Sequence, residues 1–168
     1  MKKMKMTVAL LVFLPFLAAA QRGDPAIQQA RAELEPVFAL GRLFDYLATM
    51  EGQQPRLALS RAQAAKIVDD MGRIKVVRRF DAKTATDMLS QIEDHILTPE
   101  QLKFADGLEL ASKKTQGQNK SLYSSSLIDS LASYVAGGPF NPMTDTHTPQ
   151  GKYFAALSQL LSKKLARQ

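Results

Sequence analysis

The side chains that could carry out covalent chemistry are few. The chain of 168 residues has no cysteine and two histidines, His95 and His147. Hydrolysis through a nucleophile needs a serine or cysteine, a base beside it and a group that orients the base. Ser124–Ser126 lacks the flanking glycines of a nucleophile turn and is better interpreted as a helix start. Gly137 and Gly138 lack the partners of a phosphate-binding loop. We therefore expect no enzymatic activity and no cofactor.

Candidate metal ligands are equally sparse. Asp145 with His147, and Asp94 with His95, are the only fragments in which a carboxylate and an imidazole lie close in sequence. A zinc site needs three or four such ligands. We expect no metal site, and we interpret His95 as a helix-end residue and His147 as part of a loop before the last helix.

Two pairs of adjacent carboxylates could in principle serve as general acid and base. They are Asp69 with Asp70 and Glu93 with Asp94. Adjacent positions on a helix diverge by about 100°, so neither pair can converge on one substrate atom, and a solvated helix face is the simpler interpretation. Acids from different helices could still meet. A deep pocket lined by converging carboxylates would therefore support an enzyme with a dispersed site.

A mixed basic and apolar stretch is the strongest candidate for recognising another molecule. Its candidate partner-binding residues are Arg73, Lys75, Val77, Arg78, Arg79 and Phe80. Apolar side chains alternate with these cations, which would suit a surface that binds unfolded chains through both charge and contact. The same cations could attract acidic proteins, lipid head groups or anionic wall polymer. Alternatively, they only complement the dipole at the C-terminal end of a helix, and the sequence leaves this open.

The elements that position these residues are predicted to be helices throughout. Apolar residues recur at helical spacing, and no stretch alternates with a period of two between hairpin turns, so no sheet is expected. The fold class is all-α, a compact bundle of about five to six helices. Asp24 and Pro25 begin the first helix, and Pro36 should leave it kinked or split near that residue. Later helix starts are predicted at Ser60, Asp81 and Thr98, within residues 121–136, and at Thr148.

Two polar or proline-rich segments interrupt this helical pattern. Residues 113–120 have the composition of a polar loop. Residues 137–147 begin with two glycines and contain Pro139 and Pro142, so this segment is predicted to be irregular.

The N-terminus has the pattern of an export signal. Lys2, Lys3 and Lys5 precede an uncharged apolar run from Met6 to Leu17, and three alanines follow. This predicts a cleaved signal peptide over residues 1–20 and one helical domain over 21–168, in the periplasm or outside the cell. The alternative is an uncleaved anchor.

The net charge of the predicted mature chain is small. Without the three lysines of the signal, 19 basic residues stand against 16 acidic ones, which gives a net charge of +3 rather than +6. Nucleic acid is therefore not an expected partner.

Two of the predicted helix starts share one pattern, separated by 38 residues. Both read L-[S/T]-x-x-Q, and the residues concerned are Leu59, Ser60, Gln63, Leu97, Thr98 and Gln101. In a capping box, Ser or Thr accepts the N–H three residues on, while Glu or Gln bonds back to the N–H of the cap. Pro99 also suits a first helical position. These residues are therefore expected to have a structural role.

The paired starts, in a small exported helical protein without cysteine, resemble the LTxxQ (Spy/CpxP-like) family of periplasmic proteins. The resemblance covers roughly residues 59–114. It implies an all-α fold, commonly a cradle-shaped dimer, and a role as an ATP-independent chaperone or an accessory in stress signalling. No binding site transfers with it, because the matching residues are those of the capping motif.

Three functions remain open at this point. The first is an exported, non-enzymatic helical protein that binds other proteins, either unfolded clients or an envelope partner, with a homodimer as one possible assembly. The second is a structural or surface module that binds anionic cell-wall or lipid groups through its basic residues. The third is an exported helical protein of another role, which includes an enzyme with a dispersed site.

Overall fold

The structure, a computed structural model, describes residues 24–116 and 125–167, which form seven α-helices. They are α1 Pro25–Glu33, α2 Glu35–Gln53, α3 Arg61–Val76, α4 Ala82–His95, α5 Pro99–Gln116, α6 Ser125–Val135 and α7 Pro149–Ala166. These residues form no sheet, and a single isolated bridge pairs Arg79 with Phe140. The predicted all-α fold is confirmed, with one helix more than expected. The predicted signal peptide, residues 1–20, lies outside the described residues.

The additional helix arises because the first predicted helix is split. α1 ends before Leu34, and Pro36 lies in the first turn of α2, where a proline without an N–H can be accommodated. Leu34 is completely buried at the junction, and its N–H still donates to the carbonyl oxygen of Ala30 at 2.9 Å. Of the two outcomes predicted at Pro36, the split is therefore the one observed.

The predicted helix starts at polar caps are confirmed. The side chains of Asp24, Ser60, Asp81 and Thr148 each accept a backbone N–H from the first turn of the helix that follows. Such caps satisfy donors that a helix N-terminus otherwise leaves unpaired. They fix where α1, α3, α4 and α7 begin.

The helix α2 is the centre of the packing. It contacts α4, α5 and α7, while α3 packs on α7 and α1 packs on α6. The rings of Phe44 on α2 and Phe154 on α7 meet edge to face, with centroids 5.9 Å apart. Gly41 allows the first turn of α7 to come close, since an added Cβ would lie 2.6 Å from Cγ of Gln150. The helix α2 therefore forms the centre of the bundle, and α7 joins it to α3.

One boundary differs from its prediction. The sequence predicts a polar loop from residue 113, whereas α5 continues to Gln116. Lys113 forms an ion pair with Glu109 one turn earlier, at 3.2 Å, and lysine is a good helix former. These local contacts extend the helix beyond the point at which its apolar pattern ends.

The segment 137–147 is irregular, as predicted, but it also contributes to the core. Phe140 and Met143 are each 1% exposed. Asn141 donates through Nδ2 to the carbonyl oxygens of Ile74 and Val77, each at 2.8 Å. These acceptors lie at the end of α3, where helical carbonyls lack partners within the helix. The segment therefore closes the C-terminal end of α3.

Candidate functional site

The candidate partner-binding residues divide into an outward-facing and an inward-facing group. Arg73, Lys75 and Arg78 are exposed. Phe80 is completely buried, and its N–H donates to the carbonyl oxygen of Phe140 at 2.7 Å. Val77 is partly buried against the core. Phe80 therefore belongs to the packing of the fold and offers no surface to a partner.

Arg79 is engaged within the molecule. Its guanidinium carbon lies 4.0 Å from the centroid of the Tyr134 ring. It also donates to the carbonyl oxygens of Gly138 at 2.8 Å and Tyr134 at 3.2 Å. A cation suits the C-terminal end of α6, where the helix dipole is negative. Arg79 therefore ties α6 to the chain after α3, and for this residue the dipole interpretation fits the geometry.

Arg73 is partly engaged, through a buried carboxylate. It donates to Oδ1 of Asp70 at 3.1 Å, and the Arg73 side chain itself remains 60% exposed. Asp70 is 1% exposed, and its Oδ2 has no hydrogen-bond partner among the described residues. Burial raises the pKa of Asp70, and the charge of Arg73 only partly opposes this effect. The adjacent carboxylate of Asp69 is exposed, so these two acids do diverge. The predicted solvated helix face is therefore correct for Asp69 and wrong for Asp70, because Asp70 lies on the side of α3 that packs inward.

Lys75 and Arg78 form no ion pair within the described ranges. Between them lies Val76, whose side chain is 84% exposed. Lys75 extends over α7, with Nζ 5.8 Å from the centroid of the Phe154 ring. We call Arg73, Lys75, Val76 and Arg78 the basic–apolar surface. It combines unpaired positive charge with an uncovered branched side chain.

A groove of about 430 Å³ adjoins this surface. It lies between the end of α3, the segment 143–146 and one face of α7, and we call it the α7 groove. Its lining residues are Lys75, Met143, Thr144, Thr146, Gly151, Phe154, Ala155, Ser158, Gln159 and Ser162. The α7 side consists of uncharged, mostly small residues at helical spacing, and it borders the buried stripe that contains Leu157 and Leu161. That spacing is the sequence signal for this groove, and none of its α7 residues is among the predicted site residues.

A second cavity, of about 270 Å³, lies between α2, α4 and α5. Carboxylates from two helices line it: Glu93 of α4, and Asp106 and Glu109 of α5. Burial, followed by the charges of Asp106 and Asp94, raises the pKa of Glu93. Asp94 itself is exposed, so Glu93 and Asp94 diverge as expected for neighbours on a helix. The predicted solvated face is correct for Asp94 only, since Glu93 is partly buried in the cavity.

Glu109 in this cavity is already saturated with donors. Its carboxylate accepts Tyr46 Oη at 2.7 Å, Arg42 Nε at 3.2 Å and Lys113 Nζ at 3.2 Å. Burial and the bond to Glu109 raise the pKa of Tyr46 to about 12. Burial also acts to raise the pKa of Glu109, but the bond from Tyr46 and the charge of Arg42 outweigh it and hold that pKa below its usual value. These contacts join α2 to α5.

Both capping boxes are present. Ser60 N–H donates to Oε1 of Gln63 at 2.8 Å, and Thr98 N–H donates to Oε1 of Gln101 at 2.9 Å. The backbone N–H groups of the two glutamines donate back to the hydroxyls, at 3.2 and 3.3 Å. Their leucines differ in environment, since Leu59 is 1% exposed and Leu97 is only partly buried. The motif residues therefore do have the predicted capping geometry, and the structure brings the two glutamines together.

The histidines are both exposed, one at the end of α4 and one in the loop before α7. Backbone N–H of His147 donates to Oδ1 of Asp145 at 2.9 Å. The described ranges contain no group of three acidic or histidine side chains that could hold a metal ion. None of the helices within 24–116 and 125–167 has the length and apolarity to cross a membrane.

The basic–apolar surface and the α7 groove thus adjoin each other at the end of α3 and are both open to solvent. In the second cavity, Glu109 is held by an ion-pair network, while Glu93 lies beside Asp106 as a like charge. Comparison of the chain with known protein families, with curated proteins and with solved structures finds no match in any of the three.

Proposed function

We propose that this is an exported, non-enzymatic helical protein that binds other proteins and acts on unfolded clients as a chaperone. The observation that carries the proposal is the uncovered side chain of Val76, 84% exposed between two cations that form no ion pair with any residue the structure describes. Burying apolar area on binding releases about 25 cal/mol per Å². The cations Lys75 and Arg78 would bring acidic segments to the same place and increase the rate of encounter.

The resemblance of the paired capping boxes to the LTxxQ family supports the same function. In that interpretation the motifs around Ser60 and Thr98 cap their helices and stabilise the fold, and clients bind to another surface. Because the surface is already exposed, binding would need no opening of the core and no energy from ATP. The protein would then act at near-stoichiometric ratios to its client, as a holding chaperone does.

The test is suppression of the aggregation of a chemically unfolded protein, measured by light scattering without ATP. The chain is expressed at full length, so that any N-terminal processing takes place, and its free oligomeric state is measured by sizing. We expect suppression at near-stoichiometric ratios. Val76→Ser with Lys75→Gln should weaken it, whereas Val135→Ser, which changes another exposed apolar side chain on α6, should not. A folded protein that neither delays aggregation nor forms a stable complex would overturn the proposal.

A second candidate function rests on the same cations. Lys75 and Arg78, with Arg73 beside them, could hold the protein on anionic cell-wall polymer or lipid head groups. Exposed charges are screened over about 8–10 Å at physiological salt, so such binding should be lost at moderate salt. Co-sedimentation with anionic vesicles across a salt series measures this. Client binding that persists at high salt would favour the chaperone function.

A further inference from the structure

The shape and the lining of the α7 groove indicate which kind of molecule it can bind. Phe154 and Met143 lie among its lining residues, and both are almost completely buried, so each presents a small apolar area at the base. Ala155, Ser158 and Ser162 form the helical side and project little from it. Such a face allows the backbone of another chain to come close, and the serine hydroxyls can bond to its peptide groups.

The charge of the groove is of one sign. Among the lining residues within 24–116 and 125–167, Lys75 is the only charged side chain, and none is a carboxylate. The positive charge continues along the basic–apolar surface, where Arg78 has no acidic partner within the described part of the chain. An occupant therefore gains most if it carries negative charge beside apolar side chains.

We propose that the α7 groove binds an extended, acidic segment of a partner protein. A carboxylate of the segment pairs with Lys75, and a neighbouring apolar side chain lies against Phe154 and Met143. The remaining contacts are hydrogen bonds from the partner's backbone to the hydroxyls of α7 and of Thr144. This inference rests on the proposed protein-binding function and names the part of the client that is recognised.

The test uses fluorescently labelled peptides of alternating glutamate and leucine, titrated with the full chain and followed by anisotropy. Two comparison peptides replace glutamate by glutamine or leucine by serine. We expect each replacement to weaken binding by about tenfold or more, because the groove binds both the carboxylate and the apolar side chain of the segment. Equal affinity for all three peptides would overturn the inference.

A pair of variants places the binding in the groove. Ala155 and Ala156 are neighbouring exposed residues of α7, and only Ala155 lines the groove. Ala155→Glu should weaken binding of the acidic peptide by at least about tenfold, whereas Ala156→Glu, with the same net charge, should stay within about twofold. Equal weakening would mean that only net charge is recognised, and the groove would be excluded.

The two proposals can fail separately. If the protein suppresses aggregation but does not prefer the acidic, apolar peptide, the groove inference is wrong and protein binding stands. If neither peptides nor unfolded clients bind, both are wrong. If the protein instead binds anionic vesicles, and neither Ala155→Glu nor the leucine replacement changes peptide binding, the groove inference is wrong. In that case the cations of the basic–apolar surface bind a polyanion.

Discussion

Gln63 and Gln101 are hydrogen-bonded to each other through their side-chain amides. Nε2 of Gln63 donates to Oε1 of Gln101 at 2.8 Å, and Nε2 of Gln101 lies 3.4 Å from Oε1 of Gln63. Each amide oxygen also accepts the backbone N–H of its own N-cap, Ser60 or Thr98. The two capping boxes are therefore one network, which joins the start of α3 to the start of α5.

The same two amides also bind the chain on either side. Nε2 of Gln63 donates to the carbonyl oxygen of Ile96 at 2.6 Å, and Nε2 of Gln101 donates to that of Leu57 at 2.9 Å. Each glutamine thus closes the turn that leads into the other helix. The arrangement is nearly reciprocal, and it uses every donor and acceptor of both amides.

Gln101→Ala should destabilise the protein strongly. Gln101 is 4% exposed, so the change removes a cap and leaves the carbonyl oxygen of Leu57 without its donor in a part-buried site. We expect a loss of about 2–3 kcal/mol in the free energy of unfolding, measured with urea. Gln91→Ala, at an exposed position of α4, is the control and should change stability by less than about 0.5 kcal/mol.

A double-mutant cycle tests the network itself. Because Gln63 and Gln101 share hydrogen bonds, the loss from Gln63→Ala with Gln101→Ala should be smaller than the sum of the single losses, by about 0.5–1.5 kcal/mol. Strict additivity would mean that the two boxes act independently, as caps for their own helices only.

The sequence predicted local structure well, because a cap is a contact between residues three apart. Ser60, Asp81 and Thr148 could be assigned as helix starts without knowing the fold, and so could the break at Pro36. The bond between Gln63 and Gln101 spans 38 residues, and no local pattern specifies it. It follows from how α3 and α5 pack.

The candidate site was only partly predictable for the same reason. The stretch from Arg73 to Phe80 was recognised by composition, but composition does not say which side chains face inward. Phe80 is buried where its backbone N–H donates to Phe140, 60 residues later in the chain. The α7 groove is also tertiary, since Lys75 and the segment 143–146 close one side of it.

Gly151→Ala should destabilise the protein, because a Cβ at that position would overlap the carbonyl oxygen of Asp145. The turn cannot move away easily, since the hydroxyl of the buried Thr148 lies 2.6 Å from the carbonyl oxygen of Pro142. We expect a loss of about 1–3 kcal/mol, typical of overpacking in a closed site. Thermal unfolding followed by circular dichroism measures it.

Gly72→Ala is the matched control and should have the opposite effect. Gly72 lies within α3, and nothing is within 4 Å of an added Cβ. Alanine in an exposed helix interior is more stable than glycine by about 0.5–1 kcal/mol. A Gly151→Ala variant as stable as Gly72→Ala would contradict the close packing of the loop on α7.

Asp70→Asn should stabilise the protein at neutral pH. Burial raises the pKa of Asp70 in the native state, so the contribution of Asp70 to stability is most favourable below its unfolded pKa and becomes less favourable as the pH rises through the raised native value. A neutral amide avoids the cost of a buried charge, and Arg73, 60% exposed, stays solvated without its partner. We expect a gain of about 1 kcal/mol at pH 7 and none near pH 3, from urea unfolding at both pH values.

Asp69→Asn serves as the comparison for Asp70→Asn, because Asp69 is exposed on the same helix. Its effect should stay within about 0.5 kcal/mol at either pH. If Asp70→Asn instead destabilises the protein at pH 7, the ion pair with Arg73 outweighs the burial of the carboxylate.

Glu109→Gln should destabilise the protein at neutral pH, and the loss should disappear in acid. Burial acts to raise the native pKa of Glu109, but the hydrogen bond from Tyr46 and the charge of Arg42 outweigh this effect and hold the pKa below its usual value. The stabilisation is therefore fully present above the unfolded pKa of about 4.3 and is lost as the pH falls through the native value. We expect a loss of about 1–2 kcal/mol in the free energy of unfolding at pH 7, because charge-assisted hydrogen bonds are replaced by weaker ones. Near pH 2 the variant and the unmodified protein should be equally stable.

Asp129→Asn, which changes an exposed acid on α6, is the charge-matched control and should alter stability little at either pH. If Glu109→Gln lowers stability equally at both pH values, the loss comes from packing of the side chain rather than from its charge.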